Sequence, residues 1–219
     1  MKVLSLTVKS LLFAVAALAA MSMQSASAST YGFVNITKNT PSGVDVASQL
    51  SMDVSTNGTG AVFKFFNNVG VASSITDIYF DDVVAPGNIF SKIEYSAASD
   101  LLGVKFDSSA TPGNLPGGNT IGFVANYSGD SKQPIPYMGV NTSTEWVSFL
   151  GTFAASKDFS DLIAALDSGS FRVGLHVQAI GTAGKSDSFA NTTVPLPAAA
   201  WLFGSALLGF VTLSNRRKV

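Results

Sequence analysis

Cysteine is absent from this chain, and histidine occurs once, at His176. Without thiols there can be no disulfide, no thiol nucleophile and no thiolate metal ligand, so burial of apolar surface must hold the fold. A Ser-His-Asp triad would have to pass through His176. No serine stands in the Gly-x-Ser-x-Gly turn that presents such a nucleophile in α/β hydrolases. His176 therefore reads as a sheet-surface residue beside Gln178, with Arg172 on the same face. Glutamate is almost as scarce, with Glu94 and Glu145 alone. A glycosidase pair drawn from these and the aspartates needs carboxyl groups about 5 to 9 Å apart, which sequence spacing does not supply. No catalytic residue and no cofactor is assigned.

An excess of positive charge is also missing. All fourteen acidic residues lie between residues 29 and 194, together with eight basic ones, so this middle part carries six surplus negative charges. Nucleic-acid binding requires a basic footprint and is excluded. No segment repeats at the period of a solenoid or propeller.

What the chain does have is concentrated first at its ends. Lys2 and Lys9, an apolar run over residues 10–20, and Ala26-Ser27-Ala28 make residues 1–28 a secretory signal peptide. Ala26 and Ala28 form the Ala-x-Ala site, with cleavage after Ala28. As a first transmembrane helix the run is too short and ends in small polar residues. The other end, residues 194–219, has three parts. Val194, Pro195, Leu196, Pro197 and Ala198 form a short proline motif, an uncharged run covers residues 198–213, and Arg216, Arg217 and Lys218 close it. The prolines disfavour helix before them, so a membrane helix can begin only where the run begins. Its residues would rise about 24 Å, somewhat less than the ~30 Å hydrocarbon core, so the segment spans marginally with its flanks at the interface. Basic residues beside a span stay cytoplasmic, which puts everything before Val194 outside.

This order of proline motif, apolar helix and terminal basic cluster resembles the PEP-CTERM tail of Gram-negative bacteria, in its Val-Pro-Leu-Pro-Ala variant. Leu196 stands where the name-giving motif has Glu. The resemblance implies a sorting signal cut by an exosortase-type membrane enzyme, with the carrier domain delivered to the cell surface or into exopolysaccharide. GPI tails normally finish without a basic cluster, and the Leu-Pro-x-Thr-Gly of Gram-positive sortase substrates is not found. Residues 65–82, 113–122 and 159–191 also resemble ectodomains often joined to such tails, a family without an established activity, so no site is carried over.

Residues 29–193 read as one exported domain. Alternation predicts strands near residues 50–54, 61–67, 74–82, 89–95, 101–106, 121–127, 145–153 and 171–180. Asn57-Gly58-Thr59-Gly60 suggests a hairpin. Phe63 and Phe65 share one side of their strand, and Ile78 and Phe80 are the expected core face of theirs. Residues 107–119 and 128–141 read as loops. The first is long enough to be either mobile or a binding element. Phe159, Leu162, Ile163 and Leu166 recur at helical spacing, with Gly169 at the C-terminal cap position. The pattern predicts an all-β fold, a single antiparallel β-sandwich of jelly-roll type with one short helix, between the signal peptide and the C-terminal transmembrane sorting helix.

The expected function is that of an exported, non-enzymatic structural or adhesive protein of the cell surface or exopolysaccharide, held in the inner membrane as a precursor with its C-terminus cytoplasmic. The alternative is a secreted carbohydrate-binding or calcium-dependent binding module. For calcium, Asp81 and Asp82 are the metal candidates, since they could join loop carbonyls around an ion that takes six to eight oxygens. The competing reading is a solvated turn at a strand end. For carbohydrate, Tyr127, Tyr137, Trp146 and residues 107–119 are candidates, against a core position for Trp146. Asn-x-Ser/Thr triplets at Asn35, Asn57, Asn126, Asn141 and Asn191 reflect a polar surface.

Overall fold

The computed structural model describes residues 28–40, 43–83 and 87–192. The signal-peptide residues before Ala28, Ala26 among them, and the whole tail from Val194 to Val219 lie outside the described residues. Among the described residues, no helix is long and apolar enough to cross a membrane.

Ten strands form one antiparallel sheet. They are β1 (Ala28–Asn35), β2 (Leu50–Thr56), β3 (Gly60–Asn67), β4 (Ser74–Asp81), β5 (Phe90–Ser96), β6 (Phe106–Asp107), β7 (Tyr127–Ser131), β8 (Trp146–Phe153), β9 (Arg172–Ile180) and β10 (Lys185–Asn191). Their order is β5-β8-β3-β2-β1-β10-β9-β4-β7-β6. The expected all-β, antiparallel architecture with one short helix is therefore present. Instead of two separate sheets, the strands make one sheet that curls into a nearly closed barrel. β1 is the reason: its first half, Ala28 to Gly32, pairs with β2, and Phe33 to Asn35 pairs with β10. One strand thus serves both halves, and no edge opens on that side. On the other side β5 and β6 end the order without pairing, and the Tyr95 amide donates to Ser108 Oγ across the seam at 3.3 Å.

Strict alternation builds the interior. In β3, Phe63 and Phe65 are fully buried while Val62, Lys64 and Phe66 face outward. Phe63 lies 5.2 Å from Phe80, 5.6 Å from Phe90 and 5.9 Å from Phe171, ring centre to ring centre. Edge-on and offset aromatic pairs of this kind each add about 0.5–1.5 kcal/mol beyond the burial of their area. The hairpin β2–β3 forms as the turn residues predict, with Val54 opposite Phe63. Helix α1 (Phe159–Ser168) buries Leu162, Ala165 and Leu166. Asp158 accepts from the Ser160 and Asp161 amides while Asp161 reaches back to the Asp158 amide, a capping box, and Gly169 at φ 75° ends the helix. That reciprocal arrangement satisfies the first free N–H groups of the helix. Tyr31 Oη donates to Asp167 at 3.1 Å and ties the helix to β1.

Four local expectations are corrected. Residues 101–106 are not a strand: a 3₁₀ turn over Ala97–Leu102 precedes β6, and Leu101 is 97 % exposed. Gly103, at φ 88°, closes that turn and breaks the alternation. Residues 121–127 are likewise irregular after the 3₁₀ turn Gly118–Ile121, because Asn114 takes the Phe123 carbonyl and the Ala125 amide with its side chain. The sheet strand comes later, as β7, inside a stretch that reads as loop. β1 and β10 are additional strands whose small polar residues carry little apolar signal.

Candidate functional site

The two outer faces of the sheet differ. Over β4, β7 and β9 the long connection between β6 and β7 folds down as a roof, so β4 is buried along its whole length on both sides. Sequence alternation anticipated one buried face for β4, with Ile78 and Phe80. The other face, expected to meet solvent, is buried because Tyr79, Ala110, Leu115 and Phe123 make a second apolar cluster beneath the roof. Gly174 makes this possible. A Cβ there would stand 2.6 Å from Leu115 Cδ2, so a side chain at this position would push Leu115 off the strand. Tyr79 Oη donates to the Pro112 carbonyl at 3.0 Å, and the Ala110 amide donates to Ser128 Oγ at 2.9 Å.

Under the roof, strand register lines up ionisable side chains. Asp107, Asp130, Asp77 and His176 are successive cross-strand partners through β6, β7, β4 and β9, and Ser188 of β10 follows His176. His176 Nδ1 lies 2.9 Å from Asp77 Oδ2, the geometry of an N–H donating to a carboxylate, and Thr76 Oγ1 donates to the same oxygen at 2.8 Å. His176 is thus not the free surface residue that alternation suggests; it is tied to Asp77, which is 3 % exposed. Asp130 has a buried Oδ1 with no hydrogen-bond partner among the described residues. Burial first, then the neighbouring Asp77 carboxylate, push the Asp130 carboxyl up to about 6. Burial and the same two carboxylates raise the Tyr79 phenol. The order Ser188, His176, Asp77 has the residue types of a nucleophilic triad. Ser188, however, is 1 % exposed, which leaves no space for a substrate carbonyl at its hydroxyl.

Asp81 and Asp82 are buried, so the solvated-turn reading of this pair is corrected. Asp81 accepts from Arg172 and from the Val124 amide at 3.2 Å. Arg172 also donates to the carbonyls of Ile121 and Gly122, each at 2.6 Å, with its guanidinium carbon 5.3 Å from the centre of the Phe123 ring. One ion pair therefore bolts the roof to the sheet. Asp82 serves other neighbours: its Oδ1 accepts from the Ile89 amide at 2.8 Å and its Oδ2 from the Phe90 amide at 2.9 Å. Burial raises the Asp82 carboxyl, and those two amides oppose the rise. Among the described residues there is no group of three or more His, Asp or Glu side chains placed to hold a metal ion. Asp187 has a comparable architectural role, gathering Thr37, Asn39 and Thr40 beside β10.

The remaining candidates disperse. Trp146 lies on the outer face of β8, with Lys64 Nζ 4.0 Å from its ring centre, so the core position is corrected; Val147 and Phe149 are the inward residues. Tyr127 is half-buried and donates to the Phe90 carbonyl at 2.9 Å, whereas Tyr137 is exposed. Glu94 pairs with Lys92, and Glu145 caps a turn by accepting from the Asn141 and Thr142 amides. Asn126 and Asn191 accept from the Asp82 and Val173 amides, both at 2.7 Å. Residues 107–119, expected to be mobile or a binding loop, form the roof. Ala28, one half of the expected cleavage site, is the first residue of β1. The partnership of Asp77 with Asp130 and His176 has no signal in the sequence, since the three lie far apart along the chain and only register joins them. Compared with protein-family models, with curated proteins and with solved structures, the chain matches none.

Proposed function

We propose that this chain is an exported, non-enzymatic structural or adhesive protein whose C-terminal residues 194–219 are a sorting signal. Residues 1–28 direct export. The apolar run 198–213 holds the precursor in the inner membrane, with Arg216, Arg217 and Lys218 cytoplasmic, until an exosortase-type membrane enzyme cuts near the Val194 to Ala198 motif. The domain then passes to the cell surface or into exopolysaccharide. The observation that carries this reading is the three-part order of the tail in the sequence.

The geometry of the domain supports it in two ways. β10 runs back along β1, and the Thr192 amide donates to the Gly32 carbonyl at 3.0 Å. Ala28 is about 13 Å further along β1 at strand rise, so both junctions leave from one end of the domain. A barrel joined to a membrane at that end presents its other surfaces outward. The buried carboxylates of Asp81, Asp82 and Asp187 are all engaged in holding loops to strands, as suits a rigid carrier.

Mass spectrometry of the intact protein from the surface fraction of cells tests the reading. Loss of the residues after the proline motif is expected in the native chain. A chain lacking Arg216, Arg217 and Lys218 should keep its tail and remain in the membrane fraction. A full tail on surface protein would reduce the segment to a simple anchor and defeat the sorting assignment.

A further inference from the structure

The seam of the barrel is only partly closed by the Tyr95 and Phe106 rings and the Tyr95–Ser108 bond. Where β5 and β6 fail to pair, a cleft of about 440 Å³ opens, and its rim includes Tyr95, Asp100, Lys105, Asp107, Ser108 and Lys132. Its size falls in the ~300–1,000 Å³ range of small-molecule sites. Three features define what could sit there. The Tyr95 hydroxyl donates to Asp100, and the Ser108 hydroxyl oxygen accepts the Tyr95 amide, which leaves the Ser108 O–H free to donate. Lys132 Nζ is 2.9 Å from Asp107, so those charges neutralise each other. Lys105 forms no ion pair among the described residues, although its backbone is pinned on both sides: its amide donates to the Met138 carbonyl at 3.0 Å and its carbonyl accepts from the Lys132 amide at 2.8 Å.

The rim therefore offers one ammonium without an ion-pair partner on a pinned stretch of backbone, beside hydroxyl groups and the Asp100 carboxylate, which takes the Tyr95 hydroxyl and is paired with no cation among the described residues. We infer that this seam binds a hydroxyl-rich ligand bearing a single carboxylate, in chemical class a uronate sugar residue. The carboxylate pairs with Lys105. The ring hydroxyls donate to Asp100 and Asp107 and accept from Ser108 and Lys132. A dianionic phosphate fits worse, because the second charge has no free cation and meets the two aspartates. A neutral sugar leaves the Lys105 ammonium without its partner. The site uses none of the tail residues, and it goes beyond the sorting proposal without depending on it.

Calorimetry on the full-length chain, held in a detergent without a sugar headgroup, tests the site with the monoanionic methyl galacturonoside and with the matched neutral methyl galactoside. Binding of the galacturonoside alone is expected. Lys105→Gln should weaken it about tenfold, as loss of one charge-assisted hydrogen bond does, and Lys105→Arg should retain it. Lys132→Gln should weaken it as well, by freeing Asp107. Lys64→Gln, an equal change of charge on the outer face of β3, should leave it unchanged. Lys105 is exposed, so the variants should melt with the parent chain. Absence of galacturonoside binding, equal binding of the neutral galactoside, or indifference to Lys105→Gln would each overturn the assignment. None of these outcomes touches the sorting proposal, which rests on where the chain is cut.

Discussion

The Asp130→Asn substitution tests the polar row beneath the roof. In the folded chain the Asp130 carboxyl is held at about 6, against an ordinary aspartate near 3.9. A raised value means that the folded state binds the proton more tightly than the unfolded chain does. Its contribution is therefore favourable below about pH 4, declines as pH rises through about 6, and is fully lost above that. A rise of about two units corresponds to about 3 kcal/mol if the group were sealed from water. Asp130 is only half-buried, so screening by solvent reduces this to roughly 1–2 kcal/mol. Asparagine keeps the shape, removes the charge facing Asp77 and Asp107, and offers an amide where the carboxyl would need its proton. At pH 8 the variant should be the more stable by roughly 1–2 kcal/mol, raising the melting temperature by about 2–8 °C for a chain of this size. At pH 4 the two should melt together. Circular-dichroism melts of both full-length chains from pH 4 to 8 measure the difference, in which Asp82, also raised by burial, cancels. Parallel pH profiles, or a variant weaker at pH 8, would refute the argument that Asp77 and burial together hold the Asp130 proton.

Three further outcomes follow from named contacts. Arg172→Ala should destabilise the fold by about 3–5 kcal/mol, because it leaves the buried Asp81 carboxylate uncompensated; Arg172→Met combined with Asp81→Leu should recover much of that in denaturant unfolding. Gly174→Ala should cost about 1–3 kcal/mol through its clash with Leu115, and adding Leu115→Ala should relieve the clash, a coupling that a double-mutant cycle reads directly. Millimolar calcium should leave the melting temperature unchanged, since Asp81 and Asp82 already accept from Arg172, Val124, Ile89 and Phe90; a rise that saturates with calcium would restore the metal reading of the pair.

Much of the sheet is legible in the order of residues, for a physical reason. Val173, Leu175 and Val177 alternate with Arg172, Gly174, His176 and Gln178, and Phe63 and Phe65 lie on either side of Lys64, because one side of each strand faces the interior, and alternation is a local property. The same holds for α1, whose capping box, apolar spacing and Gly169 all lie within a dozen residues. Legibility fails where burial comes from elsewhere in the chain. Nothing around Asp77, Tyr79 or Asp81 announces that a second apolar layer will cover them, because that layer consists of Leu115 and Phe123 in a segment without periodicity. β10 is equally silent: Ser186, Asp187 and Ser188 look like surface residues until β1 and the segment following it close over them.

The sequence alone determined the composition limits, the alternating faces of β3 and β9, and the helix with Gly169 at its C-terminal cap, since each depends on neighbours a few bonds away. It also carries the tail motif on which the sorting proposal stands. The tertiary structure decided that the strands close into one sheet through β1, that Asp77 meets both Asp130 and His176, and that an unpaired seam opens beside Lys105. Those are consequences of register between distant strands, and register is set only when the whole interior packs at once.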